Sequence, residues 1–392
     1  MTEPARYMLQ GWERFQRGSL VVGVIALSLC VLGAFASREQ FFYSYLMAYS
    51  FWLGIALGSL GIFMLHNLTG GAWGVVIRRL LESGMRTLPL MLIFFLPLLF
   101  GLENLYEWAR PEAVAKDPVL QHKSAYLNVP FFLLRSALYF ALWIGAAYFF
   151  TQWSRDHDRT ANPRLIERLR LLSGPGLALY VLTITFASID WSMSLEPHWF
   201  STIYGVHFLG SHVLSAFAFM IFLAGWLARG EAFSNLFRPS HFHDLGNLLL
   251  AFVMLWAYFA FSQWLIIWSG NLPEEVTWYV RRTRGGWEWI ALALIVFHFF
   301  LPFFLLLMRG IKRRVQALCA LAAAIVVMRL LDVFWYTLPA FHPSALQIHW
   351  MDIVAPIGLG GVWLAVFIWQ LRLAPLIPLN HPSTKEILES GR

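Results

Sequence analysis

The chain has 392 residues, of which 59% are hydrophobic and 17% aromatic, with a mean hydropathy of +0.61 and a net charge of +7. A soluble domain could not hide that much apolar surface, so water-soluble enzymes and binding modules are excluded. The positive charge comes without any nucleic-acid motif, which removes nucleic acid as a partner.

Crossing the hydrocarbon core of a bilayer, roughly 30 Å, takes about 20 apolar residues. Ten such stretches follow in chain order, near 19–36, 41–65, 87–103, 124–153, 175–190, 199–228, 245–269, 287–308, 315–338 and 347–371. The expected fold is all-α and integral to the membrane, one polytopic domain over 1–392. The first stretch has a basic start and ends in Ala34-Phe35-Ala36, which imitates a secretory signal. Its apolar run from Leu20 to Ala36 exceeds a usual signal core, so a retained helix is expected. Between the second and third stretches, 72–83 (AWGVVIRRLLES) reads as a short amphipathic helix along the interface. Spans two to five and six to nine begin four helices apart, so they would form two units of the same orientation.

Basic residues set the topology, because cytoplasmic loops carry the excess of Lys and Arg. The termini and even-numbered loops hold twenty, including Arg6, Arg155, Arg159, Arg238, Arg309, Lys312, Lys385 and Arg392. The odd-numbered loops hold seven: Arg38, Arg110, Lys116, Lys123, Arg281, Arg282 and Arg284. Both termini are therefore expected in the cytoplasm, with loops 104–123 and 270–286 outside. Arg281, Arg282 and Arg284 make an unusual basic cluster on the outer side. They are candidates for docking an acidic face of a partner or, equally, for solvated charge or pairing with Glu274 and Glu275.

The only cysteines, Cys30 and Cys319, both fall inside predicted spans. No disulfide framework, paired-Cys metal spacing or haem-attachment motif is present. Histidines offer no pair on facing helices: His198 and His212 share one segment and His298 is alone in its span. No cofactor is expected in this chain, and any electrons would be carried by other subunits.

Polar groups inside spans mark a pathway, a ligand or a partner, because hydrocarbon penalises them. Tyr204, His207, Ser211 and Ser215 recur at helical spacing in the sixth span, as either a hydrated path or helix-to-helix hydrogen bonds. Arg329, Asp332 and Tyr336 share a face of the ninth. An arginine near mid-membrane costs about 2.5–3.5 kcal/mol, so Asp332 is its natural partner. Asp190 ends the fifth span, Gln263 lies in the seventh, and His349 and Asp352 begin the tenth. Arg135 shares a face of the fourth with Asn128 and Tyr139. The outer halves of the spans are read as rich in acids, histidines, tyrosines and arginines, and the inner halves as nearly free of them. A quinone pocket or a proton half-channel opening outward would be composed in that way.

Three strings carry a resemblance: SIDWSMSLEPHWFSTIYG at 188–205, RPSHFHDLGN at 238–247 and YFAFSQWLIIWSGNLPEE at 258–275. With His207 and His212 just beyond the first, they resemble the ActF-type membrane subunits of bacterial alternative complex III. The resemblance implies the NrfD-like fold shared with polysulfide reductase membrane subunits, ten helices containing two four-helix bundles plus two extra helices. It implies a place in the bacterial cytoplasmic membrane, within a quinol:cytochrome c or quinol:oxidase oxidoreductase. Partners would be a second NrfD-like subunit, an iron-sulfur subunit, multihaem cytochrome c subunits and a terminal oxidase, with membrane lipids around them. Haem c and iron-sulfur clusters would reside in those partners, with quinone or menaquinone as the candidate ligand. The resemblance favours proton movement and assembly for this subunit over a redox centre of its own. No stretch matches the quinol-oxidising sister subunit residue by residue, so its site is not carried over. A proton-coupled secondary transporter and a purely structural scaffold are the rival readings.

Overall fold

The computed structural model of the chain describes residues 8–9, 11–230, 239–378, 380 and 384. Arg6, Arg238, Lys385 and Arg392, used in the topology count, lie outside the described residues. Among the described residues, ten helices are long and apolar enough to cross a membrane. They are α1 (Glu13–Ala36), α2 (Arg38–Thr69), α3 (Ala72–Leu99), α4 (Val129–Thr160), α5 (Pro163–Trp191), α6 (Tyr204–Leu227), α7 (Pro239–Gly270), α8 (Trp287–Leu307), α9 (Val315–Thr337) and α10 (Trp350–Leu371). No strand occurs among the described residues.

Helix starts follow local chemistry. Asn128 accepts a hydrogen bond from the Phe131 amide at 2.9 Å ahead of α4, and Asn162 does the same for Arg164 at 3.1 Å ahead of α5, each with a proline in the first turn. Side-chain oxygens there satisfy amides that have no partner within the helix. At α10 the cap is reciprocal: the Met351 amide donates to His349, and the Asp352 carboxylate accepts from the His349 amide at 2.8 Å.

Packing centres on α2 and α6, with α5 and α9 leaning on both. Gly54 and Gly58 make the central crossing possible, since a Cβ on Gly58 would run into the His212 carbonyl oxygen. Small residues permit such approach where apolar burial gives little drive to association in lipid. Outside this core, α1 packs chiefly on α10, where a Cβ on Gly23 would stand 2.5 Å from the Val362 nitrogen. The outer faces carry Val21, Leu32, Phe35, Leu134, Phe261 and Trp268, each more than half exposed. A coat of that kind suits lipid. Glu13 and Arg372 form an ion pair at 2.5 Å, so the first and last spans meet at one end of the bundle, the termini end.

Several helices outrun the stretches expected from hydropathy. α5 begins at Pro163, not near 175, and α3 begins at Ala72, not near 87. The expectation of a surface helix over 72–83 is corrected by the fold. The segment is helical, but it lies against α2, α4, α6, α7 and α10 and is buried from Gly74 to Met85. Its two arginines meet acids inside the protein, so the segment does not need water on one side.

Candidate functional site

Among the described residues, polar side chains inside the bundle gather in four places. The first lies between α6 and α9 and holds most of the residues singled out in the sequence. Arg329 and Asp332 form an ion pair, as their spacing on α9 predicts, with side chains 2% and 3% exposed. The Arg329 Nε also donates to Ser215 Oγ at 3.1 Å, and Ser215 in turn donates to the Ser211 carbonyl at 2.8 Å. His207 stacks on Tyr336, and Tyr204 shares a 2.5 Å hydrogen bond with Ser192. A cavity of about 30 Å³ lies among these groups, lined by His207, Ser211, His212, Arg329, Asp332 and Tyr336.

Neither ring nitrogen of His207 has a hydrogen-bond partner, and the same holds for His298. His298 is fully buried, with its ring 4.2 Å from that of Trp256, whose indole is in turn 6.1 Å from the His207 ring. His298 occupies a π-helical turn, Leu294–Phe300, in the middle of α8. Turns of this type interrupt α-helices frequently at functional sites. The histidine that looks isolated in its own span is thus brought within one ring of His207 by tertiary packing. Buried imidazole nitrogens without partners are costly, and each calls for an explanation.

The second place is the far end of α4 and α5. Arg135 forks onto Asp190 at 2.9 and 2.8 Å, Tyr139 donates to the same carboxylate at 2.8 Å, and the Tyr126 carbonyl takes a third guanidinium donor at 3.0 Å. The guanidinium also sits 3.9 Å from the Tyr126 ring centroid. Asp190 does not line the α6/α9 cavity. Asp352 does not line it either, so the polar groups singled out in the fifth and tenth spans stand apart from that cavity. Asp352 is occupied at the start of α10, where it accepts from Ser44 at 2.6 Å and Gln40 at 3.1 Å. Gln40 also meets His342 at 3.2 Å. His342 lies beyond the spans; burial holds its imidazole below the ordinary 6.5, with His349 adding to the effect against the pull of Asp352.

The third place is the loop cluster at the end opposite the termini. Arg281 and Arg282 both bind Glu196, at 2.8 and 2.7 Å, and Arg282 is 1% exposed against the face of Trp278. Arg282 also donates to the Tyr336 carbonyl at 2.8 Å. It is therefore a buried strut, not a docking residue, and neither arginine pairs with Glu274 or Glu275. Arg284 remains exposed.

The fourth place was not legible in the sequence and puts charge inside the bundle at the end that the sequence reads as nearly free of it. At the termini end, Glu82 takes Arg79 and Arg78 together with a 2.6 Å hydrogen bond from Ser154. Arg79 also pairs with Asp158, and Arg78 donates to Asn67 at 2.8 Å. Arg78, Arg79 and Glu82 are each 2–3% exposed. Because the charged turn precedes the apolar run of α3, hydropathy leaves it outside the span, as a helix along the interface.

No three His, Cys, Asp or Glu side chains come together as a metal site requires among the described residues. The architecture defines a multi-pass α-helical membrane protein. Comparison with models of known protein families finds no match, and comparison with curated proteins finds none.

Proposed function

We propose that the chain is an ActF-type, NrfD-like subunit of a respiratory quinol oxidoreductase of the alternative complex III type. It would lie in the bacterial cytoplasmic membrane with both termini in the cytoplasm. In this reading α2–α5 and α6–α9 are the two four-helix bundles, α1 and α10 the extra pair, and haem c and iron-sulfur clusters belong to partner subunits. The three resembling strings and the ten-helix architecture support it.

The observation that carries the mechanism is the cavity beside Arg329, Asp332 and His207. At about 30 Å³ it has room for roughly two or three waters, too little for a substituted quinone ring. Between a quinone-facing cavity and a proton path, the volume favours protons. An imidazole held by stacking, with both nitrogens free, can receive a proton on one and release it from the other. The Arg329–Asp332 pair keeps a carboxylate beside it without a net buried charge. The same small volume weighs against a transporter for any larger substrate.

Purification in mild detergent tests the class. Multihaem cytochrome and iron-sulfur proteins should copurify; a chain that purifies alone and moves a solute down a proton gradient would overturn the reading. If Asp332→Asn and His207→Phe both assemble normally and keep full quinol oxidation and proton release, the scaffold reading replaces the proton path.

A further inference from the structure

A groove of about 700 Å³ runs along the outside of the bundle between α1, α2, α9 and α10, separate from the α6/α9 cavity. Its walls are Phe15, Val22, Phe51, Trp52, Ile357 and Leu364; Gly18 leaves open space in it, while Gly360 lets the Trp52 ring pack against α10 and Gly361 lets α1 approach. Arg14 stands at the termini end of the groove. From residue 14 to residue 22 the α1 wall rises about 12 Å, a length suited to the upper part of an acyl chain.

Charge is distributed unevenly along it. Arg14 is exposed, and no ion pair or hydrogen bond engages it among the described residues, while its neighbour Glu13 is taken by Arg372. Arg17, one turn on, is exposed as well. Deeper in, the Trp52 indole N–H is committed to the Pro356 carbonyl at 2.9 Å, which leaves the Ser19 hydroxyl as the one polar side chain among the lining residues beyond Arg14. A cationic mouth over an apolar trough complements an anionic head on a hydrocarbon tail.

We propose that this groove binds one anionic phospholipid, its phosphate on Arg14 and an acyl chain along Val22, Trp52 and Ile357. Gly18 supplies the decisive variant. A Cβ at Gly18 meets nothing within 4 Å, so Gly18→Leu starts without a backbone clash and narrows the trough.

The test is native mass spectrometry of the full chain with phosphatidylglycerol, phosphatidylcholine or glycerophosphate. One phosphatidylglycerol should stay bound. Arg14→Gln should weaken it about fivefold, the worth of one interfacial arginine, while Arg14→Lys retains most of the affinity and Gly18→Leu loses it at unchanged thermal stability. Equal binding of phosphatidylcholine, or of phosphatidylglycerol to Gly18→Leu, would mean unspecific boundary lipid and overturn the proposal. Equal binding of glycerophosphate would mean a surface cation alone and overturn it too.

Discussion

His207 lies face to face with Tyr336, ring centroids 4.9 Å apart and planes 16° from parallel. Stacking fixes the orientation of the imidazole without engaging either nitrogen, so packing and proton chemistry are separable at this residue. His207→Phe keeps a ring for the stack and removes the nitrogens. Coupled proton release should fall by about tenfold or more, with a melting temperature close to that of the parent. A large loss of stability with normal proton release would make the residue structural.

Asp332 should behave in the opposite way. Asp332→Asn leaves Arg329 buried without its counter-charge, a loss of about 3–5 kcal/mol. The double variant Asp332→Asn, Arg329→Met removes both charges and should recover much of that stability while remaining slow in proton release. Thermal unfolding of the single and double variants in one detergent decides it, and equal melting temperatures would refute the pairing.

At the termini end, Glu82 neutralises two guanidinium groups at once. Glu82→Gln keeps the shape and can still accept from Ser154, so it isolates the charge. It should destabilise by about 3–5 kcal/mol, against about 1 kcal/mol for Ser154→Ala. Similar effects from the two variants would show that the hydrogen bond, not the charge, holds α3 in place.

His342 gives a pH dependence. Its folded-state value lies below the ordinary 6.5, so the unfolded chain takes up the proton more readily. Stability from the neutral ring is therefore full above 6.5 and is lost as pH falls through the folded value. His342→Gln, which cannot titrate, should show a shallower fall in melting temperature between pH 7.5 and 5 than the parent. Parallel curves would remove His342 as the cause.

Orientation is open to direct labelling. Lys116 and Glu274 are exposed at the same end, opposite Glu13 and Arg372, and Cys30 and Cys319 are buried. Cysteine placed at 116 or 274 should react with an impermeant reagent from outside the cell. Reaction only after permeabilisation would reverse the topology.

Much of the span pattern was legible, because twenty apolar residues in a row have few other uses. The Arg329–Asp332 pair was legible too, since three residues along one helix fix the distance. Arg135 and Asp190 were each recognised but not joined, because their contact crosses two helices and no periodicity encodes it. His298 was set aside as solitary for the same reason, and the π-helical turn that aims it inward has no sequence signature. Arg78, Arg79 and Glu82 were missed because their charges lowered the hydropathy of the segment that the fold buries.

The close packing of α1 on α10, with Gly23 against the backbone at Gly361 and Val362, bears on how the protein is made. The first helix to leave the ribosome finds its principal neighbour only when the last one arrives. Until then its small-residue face, Gly23, Ala26, Cys30 and Gly33, is turned to lipid and open to competing helices. Biogenesis should therefore be least tolerant of interruption near its end: chains stopped before residue 350 would hold nine inserted spans and an unmated first helix, a mark by which quality-control proteases could recognise them.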